Sequence, residues 1–175
     1  MLAGKLAEAV KILKRSLATK LKLYGENNPI VSEDYSDIGV LLMEKDRLQE
    51  AEMMFAKALG IVDHTDAALA VSIRNNLAAL QRKEGNYDKA LNSYQRALET
   101  ALEAFGEMHE HPALLYYNMS ILYYEDQGML EEAAATSAKC LRIRRRLLGD
   151  EHPATERNMA SHRSLLEQLV QNHRG

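Results

Sequence analysis

Residues 75–99 read NNLAALQRKEGNYDKALNSYQRALE, and this stretch decides the fold. Apolar residues recur at helical spacing on both sides of a Gly-Asn turn. Three of the positions that should face a core are nevertheless alanines, namely Ala78, Ala90 and Ala97. Side chains this small allow the backbone of a second helix to come close. The stretch therefore predicts a pair of packed helices that forms one unit of a stack, and similar stretches should recur along the chain.

Three sequence markers do recur, always in the same order. The first is a turn followed by an alanine, and its alanines lie 42, 39 and 43 residues apart at Ala9, Ala51, Ala90 and Ala133. The second is a polar residue that precedes a small apolar run, spaced by 39, 42 and 40 residues at Asp37, Asn76, Asn118 and Asn158. The third is a Gly-to-Pro linker, found at 25–29, 106–112 and 149–153. A regular period of this length indicates an array of supersecondary units.

Each unit is predicted to contain two helices, because apolar residues follow a helical period and no segment alternates as a β-strand does. Gly106 suits a left-handed helix end. The next helix is expected to begin at Pro112, since proline fits a first helical turn. The predicted fold is all-α, a stack of antiparallel helix pairs in one domain over residues 1–175. Its parts are a partial repeat at 1–24, full repeats at 30–62, 67–105 and 112–148, and a terminal capping helix at 154–172.

Composition excludes several classes of protein. The 175 residues are 46% hydrophobic and 27% charged, as in ordinary globular proteins. A net charge of -3 argues against general binding to nucleic acids. The single cysteine, Cys140, permits no internal disulfide and favours a reducing compartment. No apolar run reaches membrane-spanning length, so we expect a cytoplasmic protein without membrane insertion.

Small residues occupy three recurring places in each unit. They are Gly39, Ala78, Ser120 and Ala160 on the first helices, and Ala9, Ala51, Ala90, Ala133, Ser16, Ala58, Ala97 and Cys140 on the second helices. A larger residue generally lies between the last two sets, at Leu13, Phe55, Tyr94 and Ser137. This arrangement resembles the tetratricopeptide repeat (TPR), and the long period and Gly-to-Pro linkers resemble the kinesin light chain and nephrocystin type. The resemblance implies a right-handed α-solenoid. A HEAT-type stack has a similar period and is the alternative fold.

The sequence also departs from that pattern at five places, one of which is the turn EDQG at 125–128, where there is one extra residue. Asp46 replaces a turn glycine, and Ser137 replaces the aromatic of the last full unit. Arg74 occupies a position where a large apolar residue is usual, and the linker at 62–67 has neither Gly nor Pro. These departures bear on local geometry rather than on the fold class.

The resemblance implies that the first helices line a concave groove in which an asparagine grips the backbone of a bound peptide. The corresponding residues are Asn76, Asn118 and Asn158, with Asp37 in the first unit. A carboxamide both donates and accepts hydrogen bonds, as this role requires. The alternative is that these amides cap or cross-link neighbouring helices. Helical spacing adds further groove candidates: Asn75, Arg82, Lys83, Tyr117, Ile121, Tyr124 and Arg157. Among the tyrosines of 113–125, Tyr116 and Tyr123 are expected to fill the core instead.

The remaining motifs point to no chemistry. The run RIRRR at 142–146 is interpreted as a solvated face of an outer helix, with anion binding as the alternative. No nucleophile–base pair, phosphate loop, cofactor motif or metal-ligand set is recognisable, and Cys140 is expected to be buried and inert. The predicted function is a non-catalytic scaffold or adaptor that binds a peptide segment of a protein partner. The alternatives are self-assembly through the terminal helices, which gives a homo-oligomer, and an enzymatic role that would need an appended domain.

Overall fold

The computed structural model describes residues 2–125 and 129–173, with side chains from Glu8 onward. This part of the chain contains eight α-helices and no strand: α1 (Leu2–Tyr24), α2 (Pro29–Glu44), α3 (Leu48–Val62), α4 (Ala67–Lys83), α5 (Tyr87–Phe105), α6 (Glu110–Glu125), α7 (Leu130–Leu148) and α8 (Pro153–Asn172). The all-α prediction is confirmed. The turn predicted to end at Gly128 lies outside the described residues.

Two helices begin at a proline, as their linkers predict. Asn28 precedes Pro29 and caps α2, because its Oδ1 accepts a hydrogen bond of 3.1 Å from the N–H of Ile30. His152 precedes Pro153 and caps α8 in the same way, since its Nδ1 accepts from the N–H two residues on, at 3.2 Å. The caps satisfy N–H groups that have no partner inside the helix.

The start predicted for α6 is wrong by two residues. The helix begins at Glu110 and not at Pro112, which still lies in the first turn. The reason is an earlier cap: the Nδ1 of His109 accepts a hydrogen bond of 3.2 Å from the N–H of His111. Histidine is not among the common N-cap residues, so the residues before α6 did not indicate this start.

The helix ends contain left-handed residues. Gly106 has φ +75°, as its predicted role requires. Asp46, which replaces a turn glycine, has φ +61° and is the one non-glycine residue of the described chain with positive φ. Its Oδ1 lies 2.9 Å from the Nζ of Lys83, so an ion pair accompanies a conformation that L-residues rarely adopt.

The chain divides into two compact units, residues 1–93 and 94–175, and the boundary falls within α5. In the first unit, the ring of Phe55 on α3 is fully buried and lies against Gly39 on α2. A Cβ placed on Gly39 would be 2.7 Å from a ring carbon of Phe55. This is the pairing of a small and an aromatic residue that the repeat pattern predicts. The surrounding core contains Leu17, Val31, Ile38, Leu42, Ala51, Ala58, Val62, Ala70, Ile73 and Leu80.

The linker between α3 and α4 uses two aspartates where other linkers use Gly and Pro. Asp66 caps α4, its Oδ1 accepting from the N–H of Leu69 at 3.0 Å. Asp63 caps the C-terminal end of α3 and forms an ion pair with Arg74. That pair explains how a buried arginine is tolerated where an apolar residue is usual, because a buried charge requires a partner.

The second unit contains the buried tyrosine that the sequence predicts. Tyr116 is buried with Cys140 and Ile143, and Tyr123 is half-buried against a cluster around Leu165. Burial raises the pKa of the Cys140 thiol to about 11. The thiol is therefore protonated at neutral pH, as expected for an inert cysteine.

The small residues of the complete repeats are buried, among them Ala51, Ala90, Ala97 and Ala133. Ala160, the small residue at the corresponding place of α8, is exposed instead. Ala9 of α1 is only half-buried.

Candidate functional site

Helices α6 and α8 of the second unit border a cavity of about 280 Å³. Helix α6 contributes Tyr117, Ser120, Ile121 and Tyr124. Helix α8 contributes Ser161, Ser164, Leu165 and Gln168. Within each set the residues follow the spacing i, i+3, i+4 and i+7, so each set forms one face of its helix. We call this cavity the α6–α8 groove.

The walls of the groove are mainly apolar, with a small number of polar groups. Ile121 and Leu165 provide aliphatic surface, and Tyr124 is 47% exposed. The Nε2 of Gln168 donates to the hydroxyl of Tyr124 at 3.3 Å and lies 3.5 Å from the Oγ of Ser164. Apolar walls with a few placed polar groups are typical of ligand-binding sites.

Arg144 supports one wall of the groove from α7. Its guanidinium carbon lies 4.7 Å from the centroid of the Tyr117 ring, which is a cation–π contact. Its Nη1 donates to the carbonyl of Ala154 in the first turn of α8, at 3.2 Å. The interpretation of 142–146 as a solvated outer face is therefore wrong at Arg144, which is half-buried beside the groove.

Three of the predicted site residues line the groove together, namely Tyr117, Ile121 and Tyr124. Asn118 lies on the same helix and is half-buried, but it is not a wall residue and it has an interaction within the protein. Arg157 is exposed on α8 and is not a wall residue either; its carbonyl accepts from the Oγ of Ser161.

The prediction that Asn158 contacts a peptide is wrong. Its side chain is fully buried, and its Nδ2 donates to the Oγ of Ser137 at 3.0 Å. Ser137 stands where the repeat pattern has an aromatic, and its small side chain leaves room for the carboxamide. Asn158 thus cross-links α8 to α7, which was the alternative role for these amides. Its Oδ1 is buried without a hydrogen-bond partner among the described residues.

The predicted site residues of the first unit lie on α4. Asn75, Asn76 and Arg82 are partly exposed there, and Asn75 and Arg82 have interactions within the protein. Lys83 is exposed, and its ammonium group donates to the carbonyl of Met43 at 2.9 Å besides pairing with Asp46; its role as a peptide contact stays a prediction. Lys83 joins the end of α4 to the end of α2.

Asp37 occupies the asparagine position of the first unit and is exposed. Partial burial raises the pKa of its carboxyl, and the nearby negative charge of Asp34 raises it further. Lys20 opposes the shift, but its ammonium lies against Asp34, with Nζ 2.7 Å from Oδ1. A carboxylate at this place cannot donate a hydrogen bond, so Asp37 matches only half of the chemistry of an asparagine clamp.

Sequence reasoning missed several groove residues. Ser164, Leu165 and Gln168 follow Ser161 at helical spacing, so extending the face of α8 by two turns would have identified them. Arg144 gave no comparable signal, since the reach of a long side chain across two helices is not visible in a periodicity.

No described helix is both long and apolar enough to cross a bilayer. No cluster of three or more His, Cys, Asp or Glu side chains there is arranged to hold a metal ion.

The sequence matches a known family over most of its length. The family model described as tetratricopeptide repeat matches residues 1–63 and 69–146. No curated protein matches the sequence significantly.

Solved structures share the fold at low sequence identity. BtubC (BKLC) from P. vanneervenii superposes with a TM-score of 0.82 at 23% identity, covering 94% of this chain and 66% of BtubC. A proposed kinesin light chain from Podosopora anserina, with nearly identical TPR-like repeats, has a TM-score of 0.77 at 15% identity over 99% of this chain and 83% of that one. The apo form of RapI superposes with a TM-score of 0.80 at 17% identity, covering 95% of this chain and 58% of RapI. This chain thus spans about two thirds of the length of BtubC.

These likenesses support the fold expected from the repeat pattern, including its resemblance to kinesin light chain repeats, in preference to the HEAT-type alternative. Together with the family match, they establish that the chain belongs to the tetratricopeptide repeat family.

Proposed function

We propose that this chain is a non-catalytic adaptor, one tetratricopeptide domain that binds a peptide segment of a cytoplasmic protein partner in the α6–α8 groove. Tetratricopeptide repeats in general serve as scaffolds for protein–protein interaction. The observation that carries the proposal is the groove itself, an open cavity of about 280 Å³ between two helices with two tyrosine rings in its wall.

The chemistry of the walls suits a peptide better than a charged metabolite. The eight wall residues include no Asp, Glu, Lys, Arg or His, and the wall combines aromatic and aliphatic surface with hydroxyl groups and one carboxamide. Tyrosine supplies rigid contact area at a low cost in conformational entropy. The carboxamide of Gln168 and the nearby hydroxyls can exchange hydrogen bonds with a peptide backbone.

The test uses peptides selected against the intact chain from a displayed random library. Their affinities are then measured by calorimetry for the wild type, Tyr124→Ala and Tyr24→Ala. The two tyrosines have similar exposure, 47% and 53%, but Tyr24 lies on α1 outside the groove. We expect Tyr124→Ala to weaken binding by roughly 1–3 kcal/mol, as for an aromatic contact in an interface. Tyr24→Ala should bind as the wild type does.

Equal affinities for the wild type and Tyr124→Ala would refute the groove as the site. Asn76→Ala and Asn118→Ala extend the same experiment to the asparagine clamps. If the amides hold the peptide backbone, each change should weaken binding by roughly 1–3 kcal/mol. Circular dichroism of each variant shows whether the helices are retained.

A second candidate function is self-assembly through the terminal helices. Apolar side chains are exposed on both of them: Ile12 (60%) and Leu23 (69%) on α1, and Leu166 (46%) and Val170 (49%) on α8. Exposed apolar side chains of this kind favour an interaction surface where they form one contiguous patch. Light scattering across a concentration series tests this candidate, since Leu166→Glu with Val170→Glu should abolish a concentration-dependent rise in mass.

A further inference from the structure

The second unit holds another cavity, of about 750 Å³, that shares no wall residue with the α6–α8 groove. Helix α7 provides most of its wall, through Ala138, Leu141, Arg142, Arg145 and Arg146. Met108, which precedes α6, and His162 of α8 complete it. The volume falls within the range of ligand pockets, about 300–1,000 Å³. We call this cavity the arginine pocket.

The arginine pocket combines apolar surface with a basic rim. Met108 is 42% exposed and Leu141 is almost buried, so both offer apolar surface in a shallow depression. Arg142 and Arg145 are about half exposed, and Arg146 is exposed. Such a site can bury an apolar side chain while its arginines attract negative charge.

Two of these arginines are held in place by acidic residues of the linkers. Arg142 forms an ion pair with Glu107, and the Nε of Arg145 lies 2.9 Å from Oδ1 of Asp150. A guanidinium has several N–H donors in a fixed fork, so a single carboxylate leaves donors available to a ligand. Arg146 has no ion pair within the described residues. The rim is therefore partly preorganised and only partly neutralised.

His162 adds an unsatisfied polar atom to the wall. Its Nδ1 is buried and has no hydrogen-bond partner among the described residues. Burial lowers the pKa of the imidazole, and the nearby charge of Arg145 lowers it further. The ring is therefore neutral at pH 7, and one of its nitrogens can donate a hydrogen bond and the other accept one.

We propose that the arginine pocket is a second binding site, for an acidic segment of a protein partner in which an apolar side chain is flanked by carboxylates. The apolar side chain fits against Met108 and Leu141, and the carboxylates pair with Arg142 and Arg146. Guanidinium–carboxylate pairs are charge-assisted and directional. A single inorganic anion would leave the apolar surface uncovered. A nucleic acid is disfavoured by the net charge of -3 on the whole chain.

The proposal is tested by fluorescence polarisation with three labelled probes at fixed ionic strength. The acidic probe is the acetylated peptide Asp-Glu-Leu-Glu-Asp. The amide probe replaces each acid by its amide, and the serine probe replaces leucine by serine. The acidic probe should bind saturably to the intact chain, and both other probes should bind more weakly.

Variants then assign the binding to the pocket. Arg142→Gln and Arg146→Gln should each lower the affinity for the acidic probe roughly fivefold. This is the equivalent of about 1 kcal/mol, as for an exposed ion pair. Arg15→Gln is the charge-matched control, because Arg15 is exposed on α1 and is not a wall residue. It should change the affinity less than twofold, roughly the limit for a screened distant charge. Tyr124→Ala should leave the acidic probe unaffected, which separates this site from the α6–α8 groove.

Several results would overturn the proposal. One is a lack of saturable binding by the acidic probe, and another is equal binding of the acidic and amide probes. A third is an unchanged affinity of Arg146→Gln, whose fold should be intact because Arg146 makes no ion pair in the described part of the chain. Displacement by inorganic phosphate where chloride at equal ionic strength has no effect would indicate a simple anion site instead. Displacement by single-stranded RNA in the same assay would indicate a nucleic-acid site.

Discussion

At the scale of single residues, the contact between Gly39 and Phe55 depends on the absence of a side chain. A methyl group on Gly39 would lie 2.7 Å from the buried ring, closer than carbon atoms approach in proteins. Because Phe55 is fully buried, the ring cannot swing into solvent. We expect Gly39→Ala to lower the free energy of unfolding by about 1–3 kcal/mol, the usual cost of overpacking a core. Denaturant unfolding followed by circular dichroism measures it.

Gly60→Ala is the matched control for this prediction. Gly60 also lies inside a helix, α3, but a methyl group there would meet nothing within 4 Å. Alanine has the higher helix propensity, so this change should stabilise the protein by about 0.5–1 kcal/mol. Phe55→Leu in the Gly39→Ala background should recover part of the loss. If Gly39→Ala and Gly60→Ala shift the midpoint in the same direction, the contact is not tight.

Asp37 allows a prediction about pH, also at the residue scale. Its pKa is raised by folding, so ionised Asp37 reduces stability above the folded-state pKa, and protonation removes that loss as the pH falls. Asp37→Asn should therefore raise the denaturation midpoint at pH 7. The gain should disappear below the ordinary aspartate pKa of 3.8, where the wild-type carboxyl is protonated in both states. The gain in the free energy of unfolding should stay below about 1 kcal/mol because the side chain of Asp37 is exposed.

Glu33→Gln removes an exposed carboxylate from the same helix and serves as the control. Denaturation midpoints are measured for both variants and the wild type between about pH 3 and about pH 8, because carboxyl groups titrate in the lower part of this range. A gain for Asp37→Asn that persists unchanged in acid would contradict the electrostatic explanation.

At the scale of helices, the hydrogen bond between Ser137 and Asn158 replaces the aromatic packing of the other full repeats. Asn158→Leu keeps the number and branching of the side-chain heavy atoms but leaves the buried Ser137 hydroxyl without a partner. An unsatisfied buried polar group costs about 1–3 kcal/mol, so the free energy of unfolding should fall by that amount. Ser137→Ala combined with Asn158→Leu should recover most of it, because no polar atom of the pair remains. A double-mutant cycle from thermal unfolding measures the coupling energy between Ser137 and Asn158. Strictly additive effects of the two changes would contradict a stabilising hydrogen bond between them.

The sequence predicted the helices well because their signals are local and repeated. Apolar spacing identified the paired helices, and Asn28-Pro29 and His152-Pro153 marked two helix starts. Small residues such as Gly39 and Ala97 correctly indicated buried positions. These features depend on near neighbours in the chain or on one packing rule, so a single sequence is sufficient to predict them.

The site was less predictable because it depends on pairs of distant side chains. Asn158 was assigned to a groove by its repeat position, yet the small Ser137 on α7 lets it turn inward. Arg144 was predicted to face solvent because it lies within the arginine run, yet its long side chain contacts both Tyr117 and Ala154. Neither outcome follows from the periodicity of one helix. Each requires the position of a second helix.

At the scale of the whole molecule, α8 has a special place. The family match ends at residue 146, so α8 lies beyond it, yet α8 supplies half of the residues that line the α6–α8 groove. It also covers apolar surface, since Leu165 is buried against Ala133 and Ala134. The same helix therefore closes the second unit and forms its candidate binding surface.

Removal of residues 154–175 tests both roles. The truncated chain would expose the cluster of Ala133, Ala134 and Tyr123 that Leu165 now covers, and solenoid ends need such a cover. We expect a lower thermal midpoint, aggregation in light scattering, and no binding of groove-selected peptides. In the full-length control, Leu166→Glu with Val170→Glu changes only exposed positions of α8 and should keep the midpoint of the wild type. A truncated chain that stays monomeric, as stable as the wild type and able to bind the peptides would show that α8 neither caps the core nor forms the groove.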